Sequence, residues 1–124
     1  MKTKQVIISG VFAVMFALTF AACPTNTGSV PSTPAGVRAS IDSSNFDSIT
    51  VSWYSVDRAE GYYVYRSSSE TGTFVVVENT SWSSSSYIDT GLTAGATYYY
   101  RVSAYNNWGE SEQSVVVSAT TRRE

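Results

Sequence analysis

The sequence predicts an all-β fold, a two-sheet sandwich in one domain, and three observations carry that expectation. Of the 124 residues, those from Cys23 onward include twelve valines, nine tyrosines and thirty-two serines and threonines against a single leucine, Leu92. That composition suits pleated strands and turns and makes poor helix interiors. Apolar and polar side chains alternate with a period of two in Ser48–Trp53, Gly61–Arg66 and Thr97–Tyr105, as half-buried strands require. Clusters of Gly, Asn, Asp and Ser separate these runs at short, regular intervals. The same counts exclude several chemistries. One cysteine and no histidine leave no intrachain disulfide and no imidazole for a catalytic triad or a zinc site. A net charge of −2 argues against nucleic acid, whose affinity draws on a basic face. No metal and no dissociable cofactor is expected.

The opening of the chain reads as an export signal. Lys2 and Lys4 precede Val6–Ala22, a run of 17 uncharged residues ending in small side chains before Cys23. Leu18, Thr19, Phe20, Ala21, Ala22 and Cys23 resemble the lipobox of bacterial lipoproteins, with Phe20 standing where the pattern usually has an aliphatic. The resemblance implies removal of residues 1–22 and lipid on the sulfur and amino group of Cys23. A retained membrane helix and ordinary secretion with a free thiol are the alternatives, the former because 17 residues is the lower limit for crossing about 30 Å of hydrocarbon. Residues 23–33 are rich in Pro, Gly, Ser and Thr and read as a flexible linker reaching roughly 35 Å when stretched. Two or more acyl chains, at about 0.8 kcal/mol per buried CH₂, would hold the protein on a membrane. Pro24 lacks the aspartate that commonly retains lipoproteins at the inner membrane, which points to the outer membrane or cell surface.

Seven strands follow in the domain, residues 34–121, with 122–124 as a tail. Gly36–Ile41 opens the series, and Ser48–Trp53 sets Ile49, Val51 and Trp53 against Ser48, Thr50 and Ser52. In Gly61–Arg66, Tyr62 and Val64 oppose Tyr63 and Tyr65. Phe74–Glu78 and Ser86–Asp89 are shorter apolar stretches. Thr97–Tyr105 sets Tyr98, Tyr100, Val102 and Ala104 against Tyr99, Arg101, Ser103 and Tyr105, and Gln113–Thr120 closes the set. Turn-forming residues fill the gaps, among them Asp57–Gly61, Asn79–Ser85 and Asn106–Glu112.

The series Pro31, Pro34, Gly36, Val37, Ile49–Trp53, Gly61, Tyr62, Val64, Tyr65 and Arg66 resembles the first half of a fibronectin type III domain. Tyr87–Leu92, Gly95, Thr97, Tyr98, Tyr100–Val102, Ala104, Asn106, Gly109–Ser111, Thr120 and Thr121 resemble the second half. The resemblance implies an immunoglobulin-like seven-stranded β-sandwich with no need of a disulfide. It makes Trp53 and Leu92 core residues, and Tyr98 the tyrosine of a corner whose phenol bonds the backbone upstream. The third and sixth strands then become neighbours.

That neighbourhood gathers Tyr63, Tyr65, Tyr99, Arg101 and Tyr105 on one outer face, the side chains most often found at recognition hot spots. Sheet stabilisation by cross-strand tyrosine pairs is the competing account. Trp82 and Trp108 lie in loops, where they either touch a ligand, close the end of the core, or meet a lipid interface. The valines of Phe74–Val77 and Val115–Val117 are expected on the two edges of one sheet, open to self-association or to a partner's strand. The acids Asp57, Glu60, Glu110 and Glu112 sit in turns rather than across a cleft, and no phosphate loop or nucleophile elbow occurs. The sequence therefore predicts a non-catalytic, lipid-anchored envelope protein that binds a protein or glycan partner. A structural spacer in a larger envelope assembly, with no ligand of its own, is the alternative.

Overall fold

In the computed structural model, residues 28–123 are described, and the leader and Cys23 lie outside them. The alternating runs become two antiparallel sheets, and no helix occurs among the described residues. The smaller sheet holds β1 (Arg38–Ile41), β2 (Ile49–Ser52) and β5 (Ser86–Asp89) in the order β1-β2-β5. In the larger, β4 (Val75–Ser81) lies beside β3 (Gly61–Ser67) and β3 beside β6 (Thr97–Asn106). Both β7 (Gly109–Glu110) and β8 (Val117–Thr120) pair with the far side of β6.

Period two decides what is buried. Ile49, Val51 and Trp53 from the β2 run meet Tyr62 and Val64 of β3 and Tyr100, Val102 and Ala104 of β6, with Leu92 closing one end. The Trp53 and Tyr62 rings lie 5.3 Å apart and tilted by 51°, a geometry that suits their quadrupoles. Backbone supplies partners to the fully buried Tyr62 and the half-buried Tyr98: the Val56 amide donates to the Tyr62 hydroxyl at 2.8 Å, and the Thr93 amide to that of Tyr98 at 3.0 Å. The second of these bonds ties β6 to the turn before it, at Leu92 and Thr93.

One charged cluster interrupts the apolar interior. Arg66 continues the inward series of β3, and its Nη1 donates to both oxygens of Asp89 on β5, at 3.0 and 2.9 Å. Asp89 is 3% exposed, and a lone carboxylate so buried would be costly. Tyr100 donates a hydrogen bond to the same carboxylate at 2.8 Å, Tyr87 a longer one at 3.4 Å, and the Arg66 guanidinium lies 5.6 Å from the centre of the Tyr98 ring. Because Asp89 belongs to one sheet and Arg66 and Tyr100 to the other, the cluster clasps the layers together.

The strands depart from the sequence reading in four places. β1 begins at Arg38 because Gly36, at φ +66°, still belongs to the turn. β4 runs on to Ser81, so residues 79–81 pair with Gly61–Tyr63 instead of forming a loop, and Val77 is the extra residue of a bulge opposite Val64 and Tyr65. The segment expected as one loop, Asn106–Glu112, contains the short strand β7, folded back through a turn in which the Asn106 side chain accepts the Trp108 amide at 2.9 Å. The last strand begins only at Val117. Upstream of it, Ser111 and Ser114 replace the ladder: their amides donate to the Ala104 and Val102 carbonyls, and their hydroxyls accept the amides of those same residues at 3.0 and 2.9 Å.

Candidate functional site

The outer face of the larger sheet gathers most of the aromatic candidates. Tyr65 pairs in register with Arg101, and Tyr63 with Ser103. Tyr63 stacks on Tyr105 with ring centres 4.6 Å apart and 28° between planes, and meets Tyr65 edge-on at 6.5 Å. Arg101 leans outward over Phe74, its guanidinium 4.9 Å from the ring centre, and its buried Nε has no hydrogen-bond partner. Tyr99 occupies the far end of the row, in register with Ser67 and Ser118. Each of these rings is half-buried, one side packed on its neighbours and the other open to solvent.

Beside the stack opens a shallow cleft of about 340 Å³ lined by Tyr65, Arg101, Glu110, Ser111, Glu112 and Gln113. Glu110 organises it. The hairpin places Glu110 opposite Tyr105, and its carboxylate accepts the hydroxyls of Tyr65 and Ser103. The solvated acid expected in an exposed turn is therefore engaged, because β7 folds it back onto the sheet. Burial, followed by the bond to Glu110, pushes the Tyr65 phenol above its ordinary value, so it stays a neutral donor. Tyr105 reaches the other way, donating to Asn79 on β4 at 2.9 Å. Phe74, Glu110 and Asn79 complete the face, and only the hairpin register and the bulge of β4 bring them there.

The loop tryptophans belong to a different surface, the end of the sandwich where β2, β4 and β6 finish. Trp82 follows β4 directly and is 67% exposed. Trp108, 50% exposed, lies against the N-terminal segment: a side chain on Gly28 would run into its indole ring. That segment is a strap. Ser29 accepts hydrogen bonds at its carbonyl from Asn106 and at its hydroxyl from Arg58, both at 3.0 Å, and Pro31 is buried. Arg58 takes a left-handed backbone, φ +64°, uncommon for a side chain of its kind, and its carbonyl accepts a second bond from Asn106 at 3.2 Å. The last residues of the expected linker are thus laid on the domain.

At the opposite end, the Thr121 hydroxyl donates to the Thr93 carbonyl and Arg122 stacks 5.2 Å from the centre of the Phe46 ring. Among the described residues no group of three or more acidic, Cys or His side chains is placed to hold a metal ion.

A two-layer antiparallel sandwich with a tyrosine corner and an inward tryptophan defines the immunoglobulin-like class of all-β modules. The family model of the fibronectin type III domain matches residues 32–120, and the chain belongs to that family. Over 97 residues it is 39% identical to poly(3-hydroxybutyrate) depolymerase of Ralstonia pickettii, covering 77% of this chain and 18% of that enzyme. Over 104 residues it is 36% identical to amylopullulanase of Thermoanaerobacter thermohydrosulfuricus, covering 82% of this chain and 7% of the other. Among solved structures, a Fn3-like protein from Clostridium thermocellum superposes with a TM-score of 0.62 at 30% identity, covering 75% of this chain and 92% of that one. The chain spans less than a fifth of the length of the two enzymes.

Proposed function

We propose that this chain is a non-catalytic, lipid-anchored protein of the bacterial cell envelope whose domain binds a protein or glycan partner through the outer face of its larger sheet. The carrying observation is the continuity of that face: a stacked tyrosine pair, a third ring set edge-on, and a polar cleft holding Arg101, Glu110 and Gln113 within reach of Tyr65. Flat aromatic surfaces beside charged and amide groups suit sugar rings and hot-spot side chains alike. The similarity to small stretches of long enzymes supports an accessory role for a domain of this kind. Glu110 accepts two hydroxyls of the same sheet, which fixes its carboxylate in place at the cleft. Anchoring through Cys23, at the outer membrane or cell surface, rests on the leader and its lipobox-like end.

The spacer reading has its own observation, the internal bonding of the Tyr65 and Tyr105 hydroxyls. A double variant, Tyr63→Thr with Tyr65→Thr, keeps strand-forming residues while removing two rings. Screened on glycan and matrix-protein arrays, the wild type is expected to bind, and the folded variant to bind at least about tenfold more weakly, a loss of ~1.4 kcal/mol. Equal binding by both, or no binding by a folded wild type, favours the spacer. Detergent phase partitioning tests the anchor: Cys23→Ala moves the protein to the aqueous phase if Cys23 carries lipid.

A further inference from the structure

We propose that the loop end of the sandwich, carrying Trp82, Trp108 and Tyr54, rests on the surface of the membrane that holds the chain, with a zwitterionic headgroup layer as its partner. The inference depends on the anchoring at Cys23 proposed above. Its starting point is where the chain enters the domain. The strap is fixed at the loop end by Arg58, Asn106 and Trp108, so the tether begins at Gly28 rather than at the first strand. Residues 23–27 are all that separate Cys23 from that point, and five residues reach at most about 18 Å.

The length of the sandwich decides what this tether allows. β6 has 10 residues and spans roughly 33 Å between the two ends. A tether of about 18 Å cannot carry the domain over so that the Phe46 and Arg122 end faces the lipid. The loop end must stay near the surface, and it is where large rings stand free. Trp82 is 67% exposed, Tyr54 is 66% exposed and Trp108 is 50% exposed, in three separate loops at this end. Tryptophan and tyrosine favour the headgroup region, where a ring is partly dehydrated and its polar atom stays wet. The charge at this end selects the lipid class. Exposed Asp57 and Glu60 offset the two exposed arginines of this end, Arg58 and, at the start of β1, Arg38. The surface therefore carries no excess of positive charge to draw anionic lipids.

The test uses the full chain produced in a bacterial host, purified in detergent and reconstituted into phosphatidylcholine vesicles whose acyl chains are brominated near the headgroup. Flotation reports anchoring, and tryptophan emission reports contact. Two of the three tryptophans lie at the loop end while Trp53 is buried in the core, so the floating protein is expected to lose up to about two-thirds of its emission by interfacial contact. In the double variant Trp82→Phe with Trp108→Phe, flotation should persist while the fractional loss falls at least about threefold, since Trp53 alone then emits. Protein that floats with unchanged emission overturns the contact and leaves the anchor standing. Protein that stays at the bottom of the gradient overturns both.

Discussion

Replacing Tyr100 by Phe removes one hydroxyl from the clasp between the sheets and nothing else of comparable size. The phenol is fully buried and donates to Asp89 at 2.8 Å, and the carboxylate keeps Arg66 as its second partner. A hydrogen bond from a neutral donor to a buried charge contributes about 1.5–3 kcal/mol, and that loss is expected at pH 7. The pH dependence adds a second signature. Burial, then the bond to Asp89, raises the Tyr100 phenol far above its ordinary value, so the folded chain keeps a proton that the unfolded chain releases near pH 10. Folding stability from this group is fully present below pH 10 and falls as the pH rises above it, by up to about 1.4 kcal/mol per pH unit for one such phenol. Tyr65 and Tyr87, also raised chiefly by burial, act in the same direction. Urea unfolding followed by tryptophan fluorescence in the Trp82→Phe, Trp108→Phe background, where Trp53 alone emits, at pH 7 and across pH 9–11.5 measures both signatures. A Tyr100→Phe variant within about 0.5 kcal/mol of wild type at pH 7, with an unchanged alkaline slope, refutes the clasp as a stabilising device.

Ser111→Ala and Ser114→Ala should each cost about 1–3 kcal/mol in denaturant unfolding, because the amides of Ala104 and Val102 lose a side-chain acceptor inside the sheet. Trp53→Ala, removing a large ring that is 3% exposed, is expected to cost about 3–5 kcal/mol. Gly28→Ala puts a methyl group into the Trp108 ring; faster proteolytic cleavage confined to residues 28–31, with global stability changed by under about 1 kcal/mol, is the expected pattern.

The alternation of Tyr62–Tyr65 and of Tyr98–Tyr105 was enough to separate inner from outer faces, because a period of two is a local property of the chain. The pairing of β3 with β6, and so the meeting of Tyr63, Tyr105 and Arg101, came with the family resemblance. Glu110 and the clasp were illegible for a different reason. Tyr65 lies 45 residues from Glu110 and Arg66 lies 23 from Asp89, and side-chain bonds between distant strands impose no period on either sequence. Asp89 sits at the end of a plain strand, and nothing in that strand announces that Arg66 neutralises it. The last strand starts late because the hydroxyls of Ser111 and Ser114, spaced by three, replace a backbone ladder that alternation alone would continue to Gln113. The strap was hidden by composition: residues 28–31 have the makeup of a tether, and only the indole of Trp108 and the amide of Asn106 give them a place to lie.

The opposite placement of the strap and of Thr121 gives the domain a direction under load. β1 is bonded along its length to β2 by four register pairs, from Arg38↔Ser52 to Ile41↔Ile49, and β8 to β6 by four more, from Thr97↔Thr120 to Tyr100↔Val117. Tension between residue 28 and residue 121 therefore pulls both terminal strands along their own axes, across hydrogen bonds that lie perpendicular to the force. The bonds of each ladder must slip together rather than open one by one, and the lifetime under pull is set by the rate of that concerted step. A domain held at its loop end and dragged from the other end is thereby built to resist.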